Sequence, residues 1–152
     1  MFNIIHRIGI KAPLPNVYAA LSTVEGLAGW WTTHATGVSA VGETLHFEFT
    51  APDGERLGGM GMHVLALLPD KEVRWRCIEG PEEWLGTDIV FKLSQEGDYS
   101  IVRFGHENWS EAVEFTAHCS TKWAVFLLSL KALVETGAGR PTPGDIKIDN
   151  WN

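Results

Sequence analysis

Several features are scarce in this sequence of 152 residues, and each scarcity excludes a class of protein. Only two cysteines are present, Cys77 and Cys119, which excludes a disulfide-rich scaffold, and we expect both to be reduced thiols. The longest mainly apolar stretch, Trp123–Leu130, is far shorter than the roughly 20 residues of a membrane-spanning helix. Because His6 and Arg7 interrupt the apolar residues near the start, no signal peptide is predicted, and we expect a cytoplasmic protein without a membrane span.

Basic residues are also in the minority. Lysine and arginine number 12 against 19 aspartates and glutamates, so the formal net charge is -7. No segment gathers basic side chains into a patch that could overcome the repulsion of phosphate groups, which argues against nucleic acid as a partner. The proportions of hydrophobic residues (45%) and charged residues (20%) are ordinary for a globular protein. We therefore expect a single domain over residues 1–140, followed by an extended tail over 141–152.

The pattern of apolar residues predicts many strands and three helices. Ile4 to Lys11 alternates as a first strand, and two short helices follow, with Pro15 in the first turn of one and Thr23 as the N-cap of the next. A long helix from about Ala117 to Thr136 carries an apolar stripe at 3,4 spacing and ends at Gly137. Turn signals separate the other predicted strands, which are Thr36–Ser39, Thr44–Thr50, Arg56–Leu68, Glu72–Glu79, Thr87–Leu93 and Ser100–His106.

This order of elements predicts an α+β fold. A curved antiparallel sheet of about seven strands should wrap around the long C-terminal helix, with the two short helices placed after the first strand. Gly58, Gly59 and Gly61 mark bends in the longest strand. Because a β-bulge there would exchange the two faces of the strand, the pattern leaves open whether Met62 or His63 faces inward.

The aromatic content exceeds what one helix packed on one sheet needs, with seven tryptophans and seven phenylalanines. We interpret the surplus as the lining of an internal hydrophobic cavity that binds an apolar or aromatic small molecule. For any single ring, simple filling of the core is the alternative. The predicted lining consists of Trp30, Trp31, Phe47, Met62, Trp75, Trp84, Phe91, Phe104, His106, Trp123 and Leu127.

His106 is the candidate polar group of this cavity. It stands at the predicted end of its strand, so we expect it at the cavity mouth, either as a polar anchor or, with His6, as an acid or base. A buried histidine with one hydrogen bond is the alternative. No metal-ligand spacing, phosphate loop or nucleophile motif is present, and we expect neither a metal nor a cofactor.

Four segments carry a resemblance to a known superfamily. They are APLPNVYAALSTVEGLAGWWT (12–32), EEWLGTDIVFKL (82–93), VRFGHENW (102–109) and CSTKWAVFLLSLKALVETGAGRP (119–141). They resemble the SRPBCC or START-like (Bet v 1-like) superfamily, and within it the branch named after the activator of the heat-shock ATPase. The resemblance implies a helix-grip fold in which the short helices close one end over a hydrophobic cavity. It implies no catalytic residue, because the superfamily has no single catalytic motif.

Three functions follow as hypotheses. The first is a protein that binds a lipid-like or polyketide-like small molecule in the cavity, as a monomer or a homodimer. The second is a cyclase or dehydratase that uses a cavity histidine as acid or base. The third, which the resemblance alone suggests, is a module that contacts a chaperone.

Overall fold

The computed structural model describes residues 1–152, which form seven strands and three helices. The strands are β1 (Phe2–Ile10), β2 (His34–Gly37), β3 (Thr44–Thr50), β4 (Arg56–Leu68), β5 (Glu72–Glu79), β6 (Asp88–Glu96) and β7 (Tyr99–Trp109). The helices are α1 (Leu14–Ser22), α2 (Val24–Trp30) and α3 (Glu114–Thr136). A short 3₁₀ turn at Glu82–Trp84 lies between β5 and β6.

The seven strands form one sheet in the order β1-β7-β6-β5-β4-β3-β2, and every neighbouring pair is antiparallel. The inner face of the sheet packs on α3, as in the contact between the rings of Phe104 on β7 and Trp123 on α3, whose centroids lie 4.6 Å apart. Helices α1 and α2 pack against each other and against α3. The α+β class and the helix-grip arrangement predicted from the sequence are thus confirmed.

Local signals explain where the helices begin and end. The N–H of Gly26 donates to Thr23 Oγ1 at 3.0 Å, so Thr23 caps α2 as predicted. Gly137 adopts a left-handed conformation (φ +88°), and its N–H donates to the carbonyl of Leu133, which ends α3. The start of α3 was predicted three residues too late. Its true start depends on Thr116, whose Oγ1 accepts from the N–H of Val113, a contact that the apolar stripe does not reveal.

The predicted strand ends also needed correction at the tight hairpin between β6 and β7. β6 continues to Glu96 and β7 starts at Tyr99, because Gly97 (φ +60°) lets the chain turn within two residues. β7 runs on to Trp109 because its pairing with β6 extends to Glu107. The short strand expected at 36–39 lies at His34–Gly37, where it pairs with β3.

Bulges in β4 decide which of its side chains face inward. The pairing of β4 with β5 is irregular after Gly61 and again between Val64 and Ala66. Met62 is fully buried, whereas His63 is half-buried on the opposite face. The alternative that the sequence left open is therefore resolved in favour of Met62 facing inward.

The last residues of the chain pack on their own domain. Thr142 forms a parallel bridge with Thr32, and its N–H donates to the carbonyl of Trp31 at 2.9 Å. Cys77 and Cys119 are both buried free thiols. None of the helices combines the length and the apolar character that a membrane span requires.

Candidate ligand-binding groove

A groove of about 720 Å³ lies at one end of the fold. It is bounded by the start of β4, the 3₁₀ turn, the first half of α3 and the last two residues of the chain, Trp151 and Asn152. Its outer rim includes exposed side chains such as Leu57 and Trp151, so the groove opens to solvent on that side. A volume of this size falls within the range of small-molecule sites in proteins.

The floor of the groove consists of three buried tryptophans from three different elements. Trp31 follows α2, Trp84 belongs to the 3₁₀ turn and Trp123 lies on α3, and each is exposed by 4% or less. The rings of Trp84 and Trp123 stack with centroids 5.9 Å apart and planes 18° apart, and Trp31 lies 5.1 Å from Trp123. This arrangement presents a continuous aromatic surface to the groove.

The sheet side of the groove depends on a glycine. In the pairing of β3 with β4, Phe49 lies opposite Gly58 and Phe47 lies opposite Met60, so these four residues share the inner face. Phe49, Gly58 and Met60 line the groove. A Cβ atom placed on Gly58 would meet no atom within 4 Å, so the missing side chain contributes open volume beside Phe49.

The helix side of the groove combines aromatic and charged residues. Phe115, His118 and Lys122 of α3 line it together with Trp151. His118 Nδ1 lies 2.6 Å from a carboxylate oxygen of Asp149, and the hydrogen bond from His118 lowers the pKa of that carboxyl. The Nζ of Lys122 is buried, where it pairs with Asp145 and donates to the carbonyl of Ile146 at 2.6 Å.

Most charged groups at the groove have a neighbour of opposite charge. At the rim, the guanidinium of Arg56 hydrogen-bonds Glu48, which lowers the pKa of the Glu48 carboxyl. Inside, burial raises the pKa of the Cys119 thiol to about 12, with a small opposing effect of the Trp84 indole, so the thiol is uncharged at neutral pH. Apart from this weak contact, the indole N–H of Trp84 has no hydrogen-bond partner. The buried lining is therefore mainly apolar, and Glu83 is an exposed charge without an ion-pair partner at the rim.

The structure separates the eleven predicted lining residues into two groups. Trp31, Trp84 and Trp123 line the groove. The others lie in the packed core beside it, where rings contact one another closely, as for Phe91 with Phe104 at 5.3 Å and with Trp75 at 5.4 Å. These residues are Trp30, Phe47, Met62, Trp75, Phe91, Phe104, His106 and Leu127.

His106 lies deep in the core and not at a cavity mouth, because β7 continues for three residues beyond it. The indole N–H of Trp123 donates to His106 Nδ1 at 3.1 Å, so the ring proton must sit on Nε2, which lies 2.8 Å from Thr87 Oγ1. The Thr87 hydroxyl in turn donates to the carbonyl of Trp84 at 2.6 Å. Burial lowers the pKa of His106 to about 3, so the ring is neutral at physiological pH.

His6 and His106, which the sequence suggested as a joint acid–base pair, do not face each other across the β1–β7 pairing. His106 lies opposite Ile4 in the sheet, whereas His6 lies opposite Phe104. His6 Nε2 instead contacts the carbonyl of Ser120 on α3 at 3.0 Å. Each histidine thus has its own partners, and neither lines the groove.

Sequence reasoning missed the groove residues supplied by β4, by the start of α3 and by the tail. Gly58 and Met60 lie on a strand whose bulges conceal its inner face, and Phe115 precedes the predicted start of α3. Trp151 belongs to a segment expected to be an extended tail. The sequence signal that could have identified Trp151 is the presence of a large aromatic residue in an otherwise polar segment.

Comparison with known proteins places this geometry in a family. The family model described as "Activator of Hsp90 ATPase homolog 1-like protein" matches residues 11–135. The solution structure of the Aha1 dimer from Colwellia psychrerythraea shares 46% sequence identity with a TM-score of 0.78, covering 91% of this chain and 100% of that chain. The comparison with curated proteins yields no match.

More distant structures share the fold. Protein CV1439 from Chromobacterium violaceum is 23% identical with a TM-score of 0.72, covering 88% of this chain and 96% of that chain. CalU16 from Micromonospora echinospora is 18% identical with a TM-score of 0.69, covering 93% of this chain and 77% of that chain. Because the family match extends over most of the chain and the Colwellia relative is similar along its whole length, this protein belongs to the Activator of Hsp90 ATPase homolog 1-like family.

Proposed function

We propose that the protein binds an apolar or aromatic small molecule, lipid-like or polyketide-like, in the groove. The observation that carries the proposal is the floor of three buried tryptophans beneath an open volume of about 720 Å³. Burial of apolar ligand surface supplies affinity at roughly 25 cal/mol per Å². Every charged group at the groove has a polar or charged partner or is exposed at the rim, so the groove offers no free counter-charge inside. An uncharged ligand therefore loses less solvation free energy on entry than a charged ligand does.

A substitution that fills the groove tests this proposal. Gly58→Phe places a ring in the open volume beside Phe49, and His46→Phe adds the same ring on the opposite, exposed face of the sheet as a matched control. Titration with the neutral fluorescent probe N-phenyl-1-naphthylamine measures binding. We expect Gly58→Phe to weaken binding at least tenfold and His46→Phe to leave it unchanged. Equal affinity of both variants and the wild type would contradict binding in the groove.

The enzyme hypothesis based on His106 finds no support in this geometry. A proton-transferring group must come within hydrogen-bond reach of its substrate. The ring of His106 is fully buried, both of its nitrogens are engaged with Trp123 and Thr87, and it does not line the groove.

The family also suggests two interactions as proposals. We infer that the chain forms a homodimer, because the 46% identical Colwellia relative is described as a dimer. Sedimentation velocity should then give twice the 16.8 kDa of one chain, and a monomer at micromolar concentration would contradict it. Contact with a chaperone is supported only by the family description, and a pull-down at physiological salt that recovers no chaperone would argue against it.

A further inference from the structure

The residues from Asp145 to Asn152, which we call the strap, pack along α3 and end at the groove, where Trp151 and Asn152 line it. The strap lies outside the segment that the family model matches, which ends at residue 135. It contains no helix or strand. The chain reaches it by turning back along α3, where the N–H of Arg140 donates to Ser129 Oγ at 2.7 Å. Part of this chain's groove lining is therefore built from a segment separate from the sheet and helices of the family fold.

The strap is attached to α3 mainly through two side chains of the helix, Lys122 and His118. Lys122 pairs with Asp145, and both side chains are exposed by less than 10%. One helical turn earlier, His118 pairs with Asp149. These two α3 residues are four positions apart, so they lie on the same side of the helix and hold the strap against it.

Asp149 also orients the end of the strap. Its Oδ1 accepts hydrogen bonds from the backbone N–H of Trp151 at 2.8 Å and of Asn152 at 3.3 Å, while its Oδ2 contacts His118. This carboxylate couples the position of Trp151 to α3, together with Lys122, whose Nζ donates to the carbonyl of Asn152 at 3.3 Å.

Trp151 has unused aromatic surface. Its ring lies 5.3 Å from that of His118 and 6.3 Å from that of Phe115, yet 53% of the residue is exposed. Large apolar side chains on a surface gain free energy when a partner covers them. Because Trp151 lines the groove, a ligand in the groove is the partner within reach.

We propose that Trp151 is a ligand-contacting residue that makes the groove selective for planar aromatic molecules over acyl chains. This inference rests on the proposed binding function. The floor tryptophans and Trp151 all line the groove, and a flat ring system is the ligand shape that can stack on their indole rings. A flexible acyl chain loses more conformational entropy on binding and gains no stacking.

The test compares two probes on the wild type and three variants. Binding of N-phenyl-1-naphthylamine is measured by fluorescence, and lauric acid is measured by isothermal titration calorimetry. We expect Trp151→Ala to weaken the naphthylamine at least tenfold and lauric acid by less than twofold, and Trp151→Phe to recover most of the naphthylamine affinity. Ile146→Ala, which truncates an equally exposed strap residue outside the groove lining, should change neither affinity.

If Trp151→Ala binds both probes like the wild type, or weakens both equally, selectivity by Trp151 is refuted.

Failure of this inference can be distinguished from failure of the proposed function. If Gly58→Phe abolishes naphthylamine binding while Trp151→Ala does not alter it, the groove binds ligand and only the role of Trp151 is wrong. If the wild type and Gly58→Phe bind both probes with equal affinity, the groove is not the site, and both proposals fall together.

Discussion

Acidification should destabilise the protein through His106, and the size of the effect can be worked out from its burial. The folded ring has a pKa of about 3, lowered by burial from its ordinary value of 6.5. Below pH 6.5 the unfolded chain therefore takes up a proton that the folded protein does not bind, so stability falls as the pH falls. Each full pH unit in this window costs about 1.4 kcal/mol, with a smaller slope near pH 6.5. The expected loss between pH 6.5 and 4.5 is about 2 kcal/mol.

The variant His106→Asn isolates this contribution. The asparagine oxygen can still accept the hydrogen bond from Trp123, but the side chain does not titrate. Urea unfolding of the variant and the wild type, followed by tryptophan fluorescence at several pH values from 7.5 to 4.5, gives the free energy of unfolding of each. All other titrating groups are the same in both proteins, so their contributions cancel in the difference between the two free energies of unfolding.

The variant should be the less stable protein at pH 7.5, and its deficit should shrink by about 3 kcal/mol on acidification to pH 4.5. A deficit that is the same at every pH would show that His106 takes up its proton equally well in the folded state. The argument that burial and the hydrogen bonds with Trp123 and Thr87 keep His106 neutral would then be refuted.

Three further predictions concern stability and reactivity. Gly137→Ala should lower the free energy of unfolding by about 1 kcal/mol in urea titration, because Gly137 has a φ of +88°, which alanine adopts at a cost. An unchanged free energy of unfolding would show that the left-handed cap does not contribute to stability. Asp145→Ala should lower the free energy of unfolding by about 3 kcal/mol, because it leaves Lys122 buried without a counter-charge. A loss below about 0.5 kcal/mol, which is ordinary for an exposed ion pair, would show that the two residues are solvated. Burial raises the pKa of the Cys77 thiol to about 11 and that of the Cys119 thiol to about 12. Iodoacetamide at pH 8 should therefore modify both thiols slowly until urea unfolds the chain, and fast modification of the native protein would contradict their burial.

The fold was predictable because its signals are local. Alternation marked the strands, Thr23 and Gly137 marked helix ends, and short turn signals required antiparallel neighbours. The errors lie where a boundary depends on a single hydrogen bond or on the tightness of a hairpin. The start of α3 at Glu114, where Thr116 accepts from the N–H of Val113, and the continuation of β7 past His106 are of this kind.

The groove was only partly predictable, for a physical reason. Alternation shows which side chains face inward, but it cannot show whether neighbouring rings fill the space between them. Trp75 and Phe91 face inward and pack against each other, whereas Trp84 and Trp123 face inward beside open volume. That volume depends on the absence of a side chain at Gly58, and on a contact between the strap and α3 that no local pattern encodes.

The seven tryptophans allow the central claim to be tested in one measurement. Protein labelled with 5-fluorotryptophan is titrated with N-phenyl-1-naphthylamine, and the fluorine resonance of each ring, assigned by single Trp→Phe substitutions, is followed by NMR. If the ligand binds in the groove, the resonances of the four tryptophans that line it should shift, while those of the three packed elsewhere should move little. The first group is Trp31, Trp84, Trp123 and Trp151, and the second is Trp30, Trp75 and Trp109. Shifts confined to the second group, or no shifts at saturating probe, would contradict the account.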